Sequence, residues 1–310
     1  MWLYILVGSL VAAVFLISFF AFRYIFGRAK EMDLADRQQL LSSDWFMYEK
    51  EIGDGIRWIE KQKWQDVEIQ SSDGLTLRGR WLPKANSNKT ALLFHGYHST
   101  GHNDFSLSVK HYRDRGFNVL MPDQRSHGKS EGKYCTFGAL ESVDCRLWIE
   151  EALRLAGSDT QILLGGVSMG ASTVMLSLKG GLPDNVKCIV ADCGFTGPKN
   201  IIKWYMKNKY HMYLFPLLQL VGLYCQIFAR FTPSAYDTRK LLAENTEIPV
   251  FLAHGKPDSI VPYFMSEEND KACASRHVFF SSETAMHAGC ALVEGKKYFS
   301  ALDKFTDECF

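Results

Sequence analysis

Gly166-Val167-Ser168-Met169-Gly170 follows the apolar run Gln161-Ile162-Leu163-Leu164 and precedes the helix-compatible run Ala171-Ser172-Thr173-Val174-Met175-Leu176. A serine between two glycines, set between a strand and a helix, is the pattern of a nucleophile elbow. The turn is tight, and neither Gly166 nor Gly170 has a Cβ to strike the neighbouring strand or helix. The expectation is a Ser168 side chain standing exposed at the tip. The same string also serves as a plain tight connection, so the rest of the chain must supply the serine with partners.

A serine hydroxyl is a poor nucleophile until a base takes its proton, and the base needs an orienting acid. Downstream, Ile248-Pro249-Val250-Phe251-Leu252-Ala253 reads as a buried strand running into the loop His254-Gly255-Lys256-Pro257-Asp258. His277-Val278-Phe279-Phe280 reads as another strand, followed by a loop that carries His287. The order Ser168, Asp258, His287 is the one this architecture uses. Each candidate follows a strand, where open α/β sheets build their sites. Asp192, after the strand Lys187–Ala191, is a rival acid. The H-G-x-x-D-x-x-V-P context around Asp258 favours the latter. His95, His127 and His254 stand beside glycines at strand ends and read as loop-stabilising. Two backbone N–H groups should face a developing oxyanion: that of Met169, after the serine, and that of Tyr97, in the loop after the strand Thr90–Phe94.

From about Trp64 to Phe310 the chain resembles the α/β-hydrolase family. The likeness rests on the elbow, on His95-Gly96, on Pro122-Asp123-Gln124-Arg125-Ser126-His127-Gly128-Lys129-Ser130, and on His254–Asp258. The second block is similar to the D-x-R-G-H-G-x-S segment that follows the family's fourth strand, with Ser126 where glycine is usual. Within the family the chain looks most similar to membrane-tethered members of the branch related to prolyl oligopeptidases and dienelactone hydrolases. The resemblance implies an α/β-hydrolase fold: a mostly parallel eight-stranded sheet, helices on both faces and a helical cap. It also implies Ser-His-Asp chemistry that needs no cofactor or metal. It says little about substrate, because one fold hosts many activities.

A net charge of +1 and the shortage of basic clusters point away from nucleic acid and from a broad anionic surface. Met1 to Phe22 hold no charged side chain. As a helix these residues would span roughly 33 Å, against about 30 Å for a bilayer core. A cleaved signal peptide is the rival reading. The start lacks a basic residue, the apolar run is long, and no small-residue cleavage site follows. One N-terminal transmembrane helix is therefore expected. Arg23, Arg28 and Lys30 on its C-terminal flank place the rest of the chain on the cytoplasmic side. The eight cysteines show no disulfide spacing, which suits a reducing compartment.

The expected organisation is an anchor over 1–27, a juxtamembrane helical linker over 28–63 and a hydrolase domain over 64–310. A hairpin is expected from Gln65–Gln70 and Leu75–Trp81 around Ser72-Asp73-Gly74. Helices are expected over His102–Arg115, Ala139–Ala156 and Ala171–Lys179. About fifty residues, 197–246, stand where the core fold needs one helix. They are rich in aromatic and aliphatic side chains, including Trp204, Tyr205, Met206, Tyr213, Leu214, Phe215, Tyr224 and Phe228. This segment is read as a cap insertion over the site, or as a helix pair packed on the core.

The expected function is hydrolysis of carboxylic esters or thioesters through an acyl-enzyme on Ser168, with an apolar acyl group. The partners are a small-molecule ester, thioester or lipid, and a membrane held through the N-terminal helix. A peptidase of the same fold and a catalytically silent binding module are the alternatives.

Overall fold

The computed structural model describes residues 1–310 apart from 29, 42 and 212–214, so Ala29, Tyr213 and Leu214 lie outside the described residues. Its centre is one sheet of eight strands: β1 (Gln65–Gln70), β2 (Thr76–Leu82), β3 (Lys89–Phe94), β4 (Asn118–Pro122), β5 (Gln161–Val167), β6 (Val186–Asp192), β7 (Val250–Gly255) and β8 (His277–Ser282). The spatial order is β1-β2-β4-β3-β5-β6-β7-β8. β2 is antiparallel to both of its neighbours, and the remaining pairs are parallel. β1 and β2 form the expected hairpin, with Gly74 at a φ of 86°.

Burial follows from the layering. In β3, Ala91 and Leu93 enter the core on one face, and Leu92 and Phe94 enter the core on the other. A parallel strand covered on both sides must be apolar throughout. One face is covered by helices Glu49–Glu60, Ser108–Asp114 and Lys296–Asp307. The other is covered by Glu141–Ala156, Met169–Leu176 and Thr238–Glu244.

The helix expected over His102–Arg115 is two pieces, Gly101–Asp104 and Ser108–Asp114. The side chains of Asn103 and Asp104 are drawn aside at the break. Asn103 donates to Met32 O and accepts from Leu34 N, while Asp104 accepts from Gly96 N and Ser99 Oγ. Only part of 28–63 is helical. Gly27 bridges Tyr134, Arg28 N donates to Lys133 O and Met32 N donates to His98 O. The helix Glu49–Glu60 then docks through Ile52, Ile56 and Ile59, one helical stripe.

Segment 197–246 contains helix Pro198–Trp204, a π-helical turn Tyr205–Lys209, helix Leu217–Phe228 and helix Thr238–Glu244. The last packs beside the elbow helix, so the insertion precedes it. The N-terminal helix runs from Trp2 to Phe26, with a mean hydropathy of 2.6 over its most apolar window, and is a candidate membrane span by length and composition. Its final turns enter the cap. Phe22 and Phe26 are fully buried, and Phe26 packs on Phe137 and Phe231 at 5.5 and 5.7 Å.

Candidate active site

β5 ends at Val167, the elbow helix starts at Met169, and Ser168 between them has φ 55° and ψ −114°. Both flanking glycines are required by close approach. A Cβ on Gly166 would strike Gly170 O, and a Cβ on Gly170 would strike Phe94 O. Ser168 N donates to Asp192 O at 2.8 Å, which ties the strained residue to β6. Ser168 is only 8% exposed, whereas the motif alone suggested an exposed tip. The cap covers it and leaves it on the wall of a cavity.

His287 donates from Nδ1 to Asp258 Oδ2 at 2.7 Å. Asp258 is therefore the acid beside the imidazole, and the rival Asp192 is not bonded to it. Asp258 Oδ1 accepts from the N–H groups of Ile260 and Val261 at 2.8 and 2.9 Å. Oδ2 is shared with His254 Nε2 at 2.9 Å. Burial would raise the Asp258 pKa, but the His287 charge and the imidazole hydrogen bonds hold it well below the usual carboxylate range. Burial would lower that of His287, and the Asp258 charge and hydrogen bond raise it instead. Burial pushes the Asp192 carboxyl up to about 7.

Among the described residues, neither Ser168 Oγ nor His287 Nε2 makes a hydrogen bond. Such contacts are commonly long before substrate binds. The N–H groups of Tyr97 and Met169 likewise have no partner among the described residues. The Tyr97 loop is held from several sides. His127 Nε2 accepts from His98 N at 3.1 Å, His95 Nε2 accepts from Gln124 N at 3.0 Å, and Asp104 takes Gly96 N. Tyr97 Oη donates to Ile25 O, and its ring stacks on Phe137 at 4.8 Å. His95 and His127 thus hold loops, as expected, whereas His254 bonds the Asp258 carboxylate, which the loop-stabilising reading did not include. Trp45 was not legible as a site residue: its indole N–H donates to His287 O at 2.8 Å.

The departure at Ser126 has a visible consequence. Its φ is 66°, the left-handed region where glycine is favoured, and its buried hydroxyl has no partner among the described residues. Next to it, Arg125 forms two hydrogen bonds with Asp144, both side chains being 4% exposed.

The cavity beside Ser168 has a volume of about 540 Å³. Its apolar wall includes Phe137, Phe195, Ile201, Ile202, Met206, Ile260 and Val261. Arg23, Tyr24, Ile25, Gly27 and Arg28 also line it, so the end of the N-terminal helix borders the cavity. No Asp or Glu lines it among the described residues. Ligand atoms of Cys193, Asp258 and His287 lie within 4.8 Å of one another. Burial pushes the Cys193 thiol well up, and a metal needs a thiolate. Asp258 is already engaged by its N–H donors. The donor set thus suits proton transfer better than metal binding.

A family model described as alpha/beta hydrolase fold matches residues 90–217. The chain has the α/β-hydrolase fold. The uncharacterized protein YqkD of Bacillus subtilis (strain 168) is 24% identical over 304 residues, 97% of this chain and 95% of that protein. Among solved structures, the Pyrococcus furiosus esterase Pf2001 superposes with a TM-score of 0.61 at 24% identity, over 80% of this chain and 92% of that one. DcsB in complex with its substrate analogue superposes with a TM-score of 0.64 at 16% identity, over 80% and 99%. Within this α/β-hydrolase fold, Ser168, Asp258, His287 and Tyr97 all follow the carboxyl ends of strands, on one edge of the sheet.

Proposed function

We propose that the chain is a serine hydrolase that cleaves carboxylic esters or thioesters carrying an apolar acyl group. One observation carries this reading: a serine on a strained elbow lines an apolar cavity, and a buried imidazole whose Nδ1 is committed to Asp258 follows the carboxyl end of another strand of the same sheet. Ser168 Oγ attacks the carbonyl carbon and its proton passes to His287 Nε2. The N–H groups of Tyr97 and Met169 receive the oxyanion, a role worth about 3 kcal/mol per donor. The leaving alcohol or thiol takes the proton from His287. Water then attacks the acyl-enzyme, gives its proton to His287, and Ser168 is restored.

The esterase among the structural relatives supports this reading only at the level of fold. The absence of acidic side chains from the cavity wall, among the described residues, argues against a peptidase that must hold a substrate ammonium.

The membrane reading of Trp2–Phe26 belongs to the same proposal. A cleaved leader would take Phe22 and Phe26 out of the cap and Arg23 to Arg28 off the cavity wall, so a retained span fits better. Arg23, Arg28 and Lys30 favour a cytoplasmic catalytic domain.

The test is labelling by a fluorophosphonate probe, followed by peptide mass spectrometry. The expected adduct lies on Ser168 and is lost in Ser168→Ala. A folded protein that takes no label would overturn the proposal and favour a silent binding module.

A further inference from the structure

Helix Leu217–Phe228 has no charged side chain, and it leaves Leu223, Ile227 and Phe228 exposed by 43%, 57% and 44%. Phe215, just before it, is 77% exposed. Its two glutamines, Gln219 and Gln226, line a groove shared with Lys199 and Ser234. An apolar surface of this kind needs a partner.

The neighbouring helix shows which partner. Tyr224 Oη donates to Phe15 O at 3.1 Å, and the rings of Tyr224 and Phe228 pack on Phe19 at 5.5 and 5.7 Å. Phe15 precedes Phe26 by eleven residues, roughly 16 Å along a helix. These contacts therefore fall within the uncharged stretch Met1–Phe22, not at its flank. A helix that lies beside a membrane span at that depth shares its solvent.

Charge supports the same placement. Between Gly197 and Arg230 the chain has no Asp or Glu. Lys199, Lys203 and Lys207 recur at every fourth position and are exposed, as are Lys209 and Arg230. Cations bordering an apolar helix suit the headgroup layer of an anionic leaflet. The overall charge of +1 conceals this local excess.

We propose that helix Leu217–Phe228 is immersed in the bilayer leaflet beside the N-terminal span, and that the Ser168 cavity opens at the lipid surface. Tyr24, 76% exposed in the last turn of the N-terminal helix, stands on that cavity's wall. An acyl chain then enters from the leaflet without crossing water. The proposal rests on the reading of Trp2–Phe26 as a span.

The test places p-benzoylphenylalanine singly at Leu223, at Ile227 and at Phe20, an exposed position of the span. The full chain is reconstituted in nanodiscs of phosphatidylethanolamine and phosphatidylglycerol, irradiated, and weighed intact. Phospholipid adducts at Leu223 and Ile227, in yields comparable with Phe20, are expected. Adducts at Phe20 alone would overturn the immersion while leaving the span. Adducts at none of the three would overturn both. Protein–protein crosslinks in place of lipid adducts at Leu223 and Ile227 would mean that a second copy covers the helix, which also overturns the proposal.

Discussion

Replacing Ile25 by Trp tests whether the end of the N-terminal helix shapes the acyl pocket. Ile25 lines the cavity of about 540 Å³ together with Ser168. It is half-buried and its backbone carbonyl accepts from Tyr97 Oη, which the substitution leaves in place. An indole is well tolerated at a membrane boundary, so the fold should survive. The larger ring takes up cavity space that an acyl chain would fill. Each methylene buried in the cavity adds about 0.8 kcal/mol, or roughly four-fold in kcat/KM. Displacement of about two methylenes costs about 1.6 kcal/mol, or roughly fifteen-fold. The assay is hydrolysis of p-nitrophenyl esters of increasing acyl length by full-length protein in nanodiscs. Wild type should gain with length until the cavity is filled. Ile25→Trp should keep acetate activity and lose the longer chains, with an earlier optimum. An unaltered length profile would refute the role of this helix in the pocket. A wild-type kcat/KM that falls steadily from acetate onward would refute the acyl cavity itself.

The raised pKa of His287 gives a pH profile. Only the neutral imidazole accepts the serine proton, so kcat/KM should fall as pH drops through a midpoint above the ordinary 6.5. Asp258→Asn removes the charge that raises it. The midpoint should move down and kcat should fall on the order of 10³–10⁴-fold, whereas Asp192→Asn should cost less than about three-fold at neutral pH because that carboxyl makes no bond to the imidazole; the reverse ranking would reassign the acid. Ser126→Gly should raise stability by about 1 kcal/mol, since it relieves a left-handed φ and an unpaired buried hydroxyl. Thermal unfolding followed by circular dichroism should show a Tm higher by roughly 2 °C, and a lower Tm would mean that the hydroxyl has a partner in the folded protein.

The fold and the residues of the candidate site were legible because their signals are local. A tight turn demands glycine, and Gly166 and Gly170 stand where a Cβ would strike backbone. Strands covered on both faces must be apolar runs, so β3, β5 and β7 announced themselves and carried Tyr97, Ser168 and Asp258 at their ends. The helix around His102 was misjudged because Asn103 there serves the distant segment Met32–Leu34 and Asp104 serves the preceding loop at Gly96 and Ser99. The exposure of Ser168 was misjudged because a turn motif carries no information about what lies above it.

The sequence by itself determined the elbow, the Ser168-Asp258-His287 order, the β/α alternation and a long apolar N-terminal helix. The elbow, the alternation and the helix depend on residues that are close neighbours in the chain, and the order follows from each candidate standing just after a locally legible strand. Only the tertiary structure decided that Asp258 rather than Asp192 meets the imidazole, and that His254 shares the same carboxylate oxygen. It also decided that Trp45 holds the His287 loop across 242 positions, and that the first helix walls the cavity and lies against the cap. Contacts between such distant segments leave no period or spacing in the sequence. They depend on how packed surfaces fit one another, and the order of residues along the chain does not encode that fit in any local pattern.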